Sequence, residues 1–188
     1  MNVELAYGRH GLHVDLPDDA VIIRPTEAPG LPDEAAAIAA ALEHPYAAPG
    51  AAPVPLRALV KPTDRVVVVF SDITRPMPND RVLPVLLGAL EGVVPREQIT
   101  LLNGLGTHRA NTPEELEGML GRDIVDRYRI AQSDAWATED LVDLGRTRFG
   151  HRASVNRQYL EADVRILTGF IEPHLFAGFS GGPKAVLP

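Results

Sequence analysis

The sequence predicts an α/β fold, Rossmann-like, in which a mostly parallel sheet carries helices on both faces and follows an N-terminal β-hairpin. Strand patterns, polar loops and helix patterns alternate from residue 65 onward, which is typical of a parallel sheet covered by helices. The first of these strands is a continuous apolar run after Arg65, as a strand buried on both faces requires. Because 188 residues fit one domain, we expect residues 1–188 to form a single α/β domain.

The first third of the chain is expected to hold a hairpin, a strand, a helix and a long loop. Apolar and polar residues alternate around two glycines at 3–16, which predicts a hairpin, and 20–24 is predicted as a further strand. An alanine-rich segment with apolar residues four apart predicts a helix over 33–43. Four prolines between 45 and 55 predict a loop, because proline interrupts both helices and β-ladders.

The remainder of the chain is expected to supply the main sheet and its helices. A helix start at Thr112 is well marked, because Glu115 completes a capping box with Thr112 and Pro113 is a favoured first helical residue. The helix before it contains Pro84, about one turn inside its start. The expected strands are 65–70, 99–102, 128–131 and 164–168, and the expected helices are 79–91 and the one that begins at Thr112.

The composition excludes several classes of site. With 0 cysteines the chain has no disulfide framework, no thiolate metal site and no cysteine nucleophile. A net charge of −7 and 5% aromatic residues lack the basic, aromatic footprint of nucleic-acid binding. No signal-peptide pattern is visible and the apolar runs are too short to span a bilayer, so we expect a cytoplasmic protein without nucleic-acid or membrane partners. One basic cluster is interpreted as a solvated face: Arg146, Arg148, His151, Arg152 and Arg157.

The first polar loop, S-D-I-T-R-P at 71–76, follows the first buried strand. It combines a carboxylate, hydroxyls and a guanidinium, and arginine suits a two-pronged grip on a carboxylate or phosphate. Two interpretations remain open at this point. Either Arg75 binds an anionic ligand, or Asp72 caps a turn and Arg75 pairs with it.

The second loop, N-G-L-G-T-H-R at 103–109, follows the second strand of the sheet. Its glycines allow the backbone to approach a ligand closely. The dinucleotide fingerprint GxGxxG is not met, because Arg109 stands in place of the third glycine. His108 is a candidate general base, since histidine titrates near neutral pH, or it is a structural or merely exposed loop residue.

The third loop, E-P-H-L-F-A-G-F-S-G-G-P-K at 172–184, is long and rich in glycine. It is not a P-loop, because Pro183 precedes Lys184 and Ala185 replaces the hydroxyl residue that would hold magnesium. The pattern nevertheless favours a clamp for a phosphate or a cofactor, with Lys184 as hydrogen-bond donor or nucleophile.

The three loops are expected to meet, because ligands of such sheets bind outside the carboxyl ends of the strands. Together they offer two histidines, an arginine, an aspartate and a lysine. Racemisation of a 2-hydroxy acid needs a set of this kind: a cation for the carboxylate and a base on each side of the chiral carbon. It also needs a cofactor as hydride acceptor, because no side chain accepts a hydride.

The segments 71–76, 106–109 and 172–184 resemble the signatures of nickel-dependent lactate racemases, in order and in approximate spacing. The last segment is the most specific, and the resemblance runs from the N-terminal hairpin to the last residue. It implies racemisation or epimerisation of a 2-hydroxy acid such as lactate. The implied cofactor is a nickel-pincer nucleotide, a pyridinium mononucleotide whose sulfur-bearing arms hold nickel, which reversibly takes a hydride from the substrate.

The resemblance also implies a role for individual residues. His108 and His174 match the acid/base pair, and Arg75 matches the anchor of the substrate carboxylate. Lys184 matches the lysine to which the cofactor is covalently attached. The other residues expected to bind the cofactor are Asp72, Thr74, Gly181 and Gly182.

Two features depart from the family pattern. Ser133 stands before Asp134, where many relatives are expected to carry a histidine. The chain stops at Pro188, whereas the family has a C-terminal domain with the histidine that ligates nickel. We therefore expect residues 1–188 to be the N-terminal domain of a longer protein, without a nickel ligand and inactive alone.

Two other functions compete with a racemase. The first is a non-catalytic module that binds a nucleotide or the assembled cofactor. The second is a hydrolase in which Asp72, His108 and His174 are metal ligands, which would leave the lysine motif unexplained.

Overall fold

The computed structural model describes residues 1–24, 26, 28–175 and 177–186. The chain divides into two compact units, Met1–Pro32 and Asp33–Pro188. Within the described ranges, no helix combines the length and the apolar composition needed to cross a membrane.

The first unit contains the predicted hairpin. Strand β1 (Asn2–Leu5) pairs with β2 (Leu12–Asp15) in an antiparallel ladder. The connection uses Gly8 and Gly11, whose φ angles of 56° and 72° lie in the region that favours glycine. The predicted strand at 20–24 is wrong, because none of these residues joins a ladder. Its apolar residues are left largely exposed, and β-propensity without a neighbouring strand does not make a strand.

The second unit contains the predicted parallel sheet. The strands of this unit are β3 (Val66–Ser71), β4 (Ile99–Gly104), β5 (Arg129–Gln132), β6 (Leu141–Arg146), β7 (Arg152–Asn156), β8 (Val164–Leu167), β9 (Pro173–His174) and β10 (Gly178–Phe179). Four of them form one sheet in the order β5-β4-β3-β8, and every neighbouring pair in it is parallel. The chain therefore winds outward from β3 to β5 and then crosses back to add β8 on the other side, as in a Rossmann fold.

Among the described residues, six α-helices accompany these strands: α1 (Glu34–Glu43), α2 (Leu56–Leu59), α3 (Asn79–Glu91), α4 (Pro113–Leu120), α5 (Arg122–Arg127) and α6 (Arg157–Glu161). The predicted starts of α1 and α4 are confirmed, with Asp33 and Thr112 as N-caps and a complete capping box at α4. Helix α3 continues through Pro84, although proline removes a backbone donor. Its apolar face, including Leu83 and Leu87, is buried and stabilises the helix through packing.

Successive side chains of β3 pack into two hydrophobic cores, one on each face of the sheet. Val66, Val68 and Phe70 are at most 2% exposed and pack with apolar residues of α3, α4 and α5. Val67 and Val69 belong to a second cluster, which includes a residue of α6. The alternation follows from the pleat of a strand, whose side chains point to opposite faces in turn. The predicted α/β fold with helices flanking a parallel sheet is confirmed.

An antiparallel hairpin of β6 and β7 was not predicted from the sequence. It lies between β5 and β8 in the chain and carries four of the five residues of the basic cluster, while Arg157 begins α6. All five basic side chains are exposed, as the interpretation of a solvated face predicts.

Candidate functional site

A cavity of about 380 Å³ lies at the carboxyl ends of the parallel strands. This volume falls within the range of small-molecule sites, about 300–1,000 Å³. The loops that follow β3, β4, β5 and β8 line the cavity, and β7 and α6 add a further wall. The cavity lies beyond the carboxyl ends of the neighbouring strands β3 and β8, where the winding of the chain reverses and where sheets of this kind bind ligands.

Asp72, Thr74 and His108 form one hydrogen-bonded cluster at the cavity. His108 Nδ1 lies 2.9 Å from Asp72 Oδ2. Thr74 Oγ1 shares its proton between the two carboxylate oxygens, at 3.0 and 3.2 Å, and lies 3.4 Å from His108 Nδ1. The Asp72 side chain is 5% exposed and that of His108 is 43% exposed. These bonds satisfy a carboxylate that would otherwise be costly to bury.

Arg75 presents a cation to the same cavity. Its backbone N–H donates to Asp72 O at 3.1 Å, but no ion pair joins the two side chains, so the interpretation in which Arg75 pairs with Asp72 is wrong. The Arg75 side chain is half-buried and lines the cavity. Within the described ranges no carboxylate forms an ion pair with it, so the guanidinium can take an anionic ligand.

The loop that carries His108 is anchored to the end of β5. Gln132 Oε1 accepts from Asn103 Nδ2 at 3.2 Å and from Asn111 N–H at 2.8 Å, and Gln132 Nε2 donates to Asn111 O at 3.0 Å. Ser133 Oγ accepts from Leu105 N–H at 3.0 Å and donates to Asn103 O at 2.9 Å. Both ends of the loop are thereby fixed to the neighbouring strand, which limits the positions that His108 can take.

Arg109 acts on the loop rather than on the cavity. Its guanidinium donates to both carboxylate oxygens of Glu115, at 2.8 and 2.7 Å. These bonds, followed by the hydrogen bond from Thr112 N–H, hold the pKa of Glu115 well below its usual range. Arg109 does not line the cavity, and its pairing ties the end of the loop to the first turn of α4.

Lys184 and Gly181 reach the cavity from the third loop. Residues Gly182–Ala185 form a short 3₁₀ turn, and Gly181 and Gly182 have φ angles of 73° and 51°. A Cβ on Gly169 would lie 3.1 Å from Gly181 Cα, so the backbone at Gly169 packs tightly against the backbone at Gly181. As far as the structure describes the chain, the Lys184 amine has no carboxylate within ion-pair distance.

His174 lies at the end of the two-residue strand β9, which pairs with β10. It is half-buried, and Ala177 N–H donates to its Nδ1 at 3.2 Å. His174 does not line the cavity, and neither do Thr74 and Gly182. Phe176, which belongs to the third motif, lies outside the described residues. The structure therefore gathers five of the eight predicted site residues in the cavity wall: Asp72, Arg75, His108, Gly181 and Lys184.

The positions of the acidic and histidine side chains test the hypothesis of a metal-dependent hydrolase. In ranges 1–24, 26, 28–175 and 177–186, no three histidine, aspartate or glutamate side chains gather closely enough to hold a metal ion. Asp72 and His108 meet, but His174 does not complete a ligand set with them. The hydrolase alternative thus has no ligand cluster in this part of the chain.

Sequence reasoning missed the wall that the β6–β7 hairpin and α6 contribute. Arg152 lines the cavity while its Nε and Nη2 meet Asp143 Oδ2 at 3.0 and 2.9 Å. The alternation of polar and apolar residues in R-A-S-V-N at 152–156 was the available signal for β7. The other residues of this wall are Leu141, Ser154, Val155, Asn156 and Tyr159.

The sequence of this chain is similar to that of lactate racemases. The family model for the lactate racemase N-terminal domain matches residues 7–188. The lactate racemase of Thermoanaerobacterium thermosaccharolyticum is 32% identical over 191 residues, which cover 100% of this chain and 44% of that protein. The lactate racemase of Lactiplantibacillus plantarum is 40% identical over 133 residues, or 71% of this chain and 31% of that protein.

Solved structures agree with the sequence matches. The lactate racemase apoprotein from Thermoanaerobacterium thermosaccharolyticum superposes with a TM-score of 0.79 at 32% identity, over 100% of this chain and 43% of that one. A protein from Thermotoga maritima gives a TM-score of 0.59 at 25% identity, over 82% of this chain and 36% of that one. The chain spans less than half the length of the curated relatives it matches.

Proposed function

This chain belongs to the family of lactate racemase N-terminal domains, and on that premise we propose that it takes part in racemising or epimerising a 2-hydroxy acid such as lactate. The observation that carries the proposal is the convergence of Arg75, His108 and Lys184 on one cavity, with the buried Asp72 hydrogen-bonded to His108. We further propose that residues 1–188 act as an N-terminal domain together with a C-terminal domain, because the curated relatives are more than twice as long as the matched segment.

Arg75 would bind the substrate carboxylate. Its guanidinium lines the cavity, and within the described ranges no protein carboxylate competes for it. A planar guanidinium can donate two parallel hydrogen bonds to a carboxylate, which fixes the orientation of the acid as well as its position. The Cα–H and hydroxyl groups of the bound acid would then be held at a defined distance from His108.

His108 and His174 would form the acid/base pair. When one enantiomer is bound, a histidine on the side of its hydroxyl accepts the hydroxyl proton as the carbonyl forms. The histidine on the other side donates a proton to the carbonyl oxygen when the opposite enantiomer is formed. Support is stronger for His108, which lines the cavity, than for His174, which lies outside the cavity wall.

The donor set fits a nickel-pincer nucleotide, which when bound would accept the Cα hydride and return it to either face of the carbon. The Lys184 amine, at the cavity and without an ion-pair partner in the described ranges, would form the covalent link. Gly181 lines the cavity, and its positive φ angle lies in the region that favours glycine. Asp72 and Thr74 would complete the set from the opposite loop. The nickel-ligating histidine is proposed to lie outside residues 1–188.

A non-catalytic module that holds the cofactor is the second candidate. It needs only the groups that could hold the cofactor, among them Lys184 and Gly181 at the cavity, and no acid/base pair. Under this proposal Lys184 would still carry the nucleotide, but no 2-hydroxy acid would be converted.

Racemisation of L-lactate in D₂O by the cofactor-loaded full-length protein, in which residues 1–188 are joined to the proposed C-terminal domain, separates these possibilities. Hydride transfer returns the same hydrogen to carbon, so the D-lactate formed should carry protium at Cα. The K184A variant, prepared in the same way, should form no D-lactate. Deuterium at Cα would contradict hydride transfer, because it indicates a carbanion that exchanges with solvent. Absence of turnover by a fully loaded protein would favour the binding module.

A further inference from the structure

The two histidines of the proposed acid/base pair differ in the group that meets Nδ1. His108 Nδ1 lies 2.9 Å from a carboxylate oxygen of Asp72, whereas the backbone N–H of Ala177 donates to His174 Nδ1 at 3.2 Å. An ionised carboxylate only accepts hydrogen bonds, so the contact with Asp72 is a hydrogen bond in the form of His108 that carries a proton on Nδ1. A backbone N–H only donates, so His174 Nδ1 must be unprotonated while that bond exists.

Asp72 is itself held in place on several sides. Its side chain is 5% exposed, and Thr74 Oγ1 donates to both of its oxygens in turn. The turn that contains both residues is closed by the hydrogen bond from Arg75 N–H to Asp72 O at 3.1 Å. A carboxylate fixed in this way presents one oxygen to His108 in a constant direction, which is the requirement for orienting an imidazole.

We propose that Asp72, held by Thr74, is a positioning residue that keeps His108 in the Nδ1–H tautomer, with the Nε2 lone pair directed to the chemistry. This role rests on the proposed function and is additional to any contact of Asp72 with the cofactor. His108 Nε2 takes the hydroxyl proton as the O–H bond breaks, and that electron pair forms the C=O bond. The electron pair of the Cα–H bond would leave with the hydrogen as a hydride, for which the nickel-pincer nucleotide would supply the acceptor.

The Nδ1–H bond to Asp72 serves both protonation states of His108. The neutral ring uses it to keep Nε2 unprotonated, and the imidazolium keeps the same bond when Nε2 gains its proton. His108 can therefore act as base and then as acid without rearranging. His174 differs, because a base at Nε2 carries its proton on Nδ1, which requires the bond from Ala177 N–H to break. The pair is thus unequal, and His108 is the histidine already set to act as a base.

Nitrogen NMR of the holoprotein labelled with ¹⁵N-histidine measures these tautomers directly, without reference to turnover. The His108 signals are assigned by their loss in H108Q. In the neutral form, the wild-type protein should show His108 protonated at Nδ1 and unprotonated at Nε2. The D72N variant replaces a charged acceptor with a neutral one and should lower the ratio of Nδ1–H to Nε2–H by about tenfold.

Two further variants make the test specific. D134N removes another aspartate that lines the cavity but does not contact His108, and it should leave the tautomer of His108 unchanged. T74V keeps Asp72 but removes its hydroxyl donor, and it should shift the ratio in the same direction as D72N by a smaller amount. T74V also keeps the test valid if D72N does not fold.

The kinetic counterpart is a loss of kcat in D72N with little change in KM, because the substrate carboxylate is bound elsewhere. His108 protonated at Nε2 in the wild-type protein, or a tautomer ratio that D72N and T74V leave unchanged, would overturn the positioning role. The proposed function fails separately: a wild-type protein with the expected tautomer, the cofactor loaded and no racemisation would refute the activity and leave the Asp72 assignment intact.

Discussion

Replacing Arg75 with lysine should weaken binding of the 2-hydroxy acid by a larger factor than it lowers kcat. Arg75 is half-buried at the cavity and has no carboxylate partner within the described ranges. Two N–H donors of its guanidinium are therefore available to the carboxylate of the substrate. Lysine keeps the positive charge but loses the two-pronged geometry. A hydrogen bond to a charged group contributes about 1.5–3 kcal/mol, so losing one should raise KM by about 10- to 150-fold.

The matched control is R152K, because Arg152 lines the same cavity. Its guanidinium already meets Asp143 and its side chain is 69% exposed, so the same substitution should change KM by less than about threefold. Initial rates of lactate racemisation, followed by chiral chromatography over a range of substrate concentrations, give both constants for each variant. The reasoning is refuted if R75K and R152K raise KM equally, or if R75K lowers kcat while KM stays constant.

Two further predictions concern stability. The G169A variant should lose about 1–3 kcal/mol of unfolding free energy in urea titrations, because its Cβ would lie 3.1 Å from the backbone of Gly181. The control G118A, at an exposed position inside α4 with open space around the new Cβ, should instead gain about 0.5–1 kcal/mol, and a gain for G169A would contradict the close packing. The hydrogen bond from Tyr128, together with two neighbouring arginines, holds the pKa of Glu91 below its usual 4.5. The ionised Glu91 therefore stabilises the fold fully above pH 4.5, and this stabilisation is lost as the pH falls through the lowered pKa of the folded state. The stability difference between wild type and E91Q should therefore shrink on acidification below pH 4.5, and a difference that grows there would disprove the assignment.

Much of the fold could be predicted because its patterns are local. The helix predicted at 79–91 is confirmed with the same bounds, and β3 was evident from its run of four valines at 66–69. The start of α4 was predicted from a capping box, whose hydrogen bonds span three residues. In each case the side chains that determine the element lie within it or directly beside it.

The errors arise where a distant partner decides the structure. Residues 20–24 have strand propensity but no neighbouring strand to complete a ladder. The β6–β7 hairpin was missed because its first strand, L-V-D-L-G-R, lacks a regular alternation and the ladder shifts register between Asp143 and Arg146.

In the candidate site, too, features set by local sequence could be predicted and features set by distant partners could not. The sequence predicted that the loops after β3, β4 and β8 converge, because the carboxyl ends of parallel strands share one edge. It did not predict which atoms meet, since the bond between Asp72 and His108 joins residues 36 apart and depends on two turns at once. Nor could the sequence predict that Ser133 fixes the His108 loop, which follows from the pairing of β4 with β5.

The most direct test of the account is peptide mass mapping of Lys184 in the protein purified from its native host. We expect the peptide that contains Lys184 to carry a covalent nickel-bearing nucleotide, and the same preparation to racemise a 2-hydroxy acid. Protein that racemises while Lys184 is unmodified would contradict the central claim, because the hydride acceptor would then have to be held elsewhere.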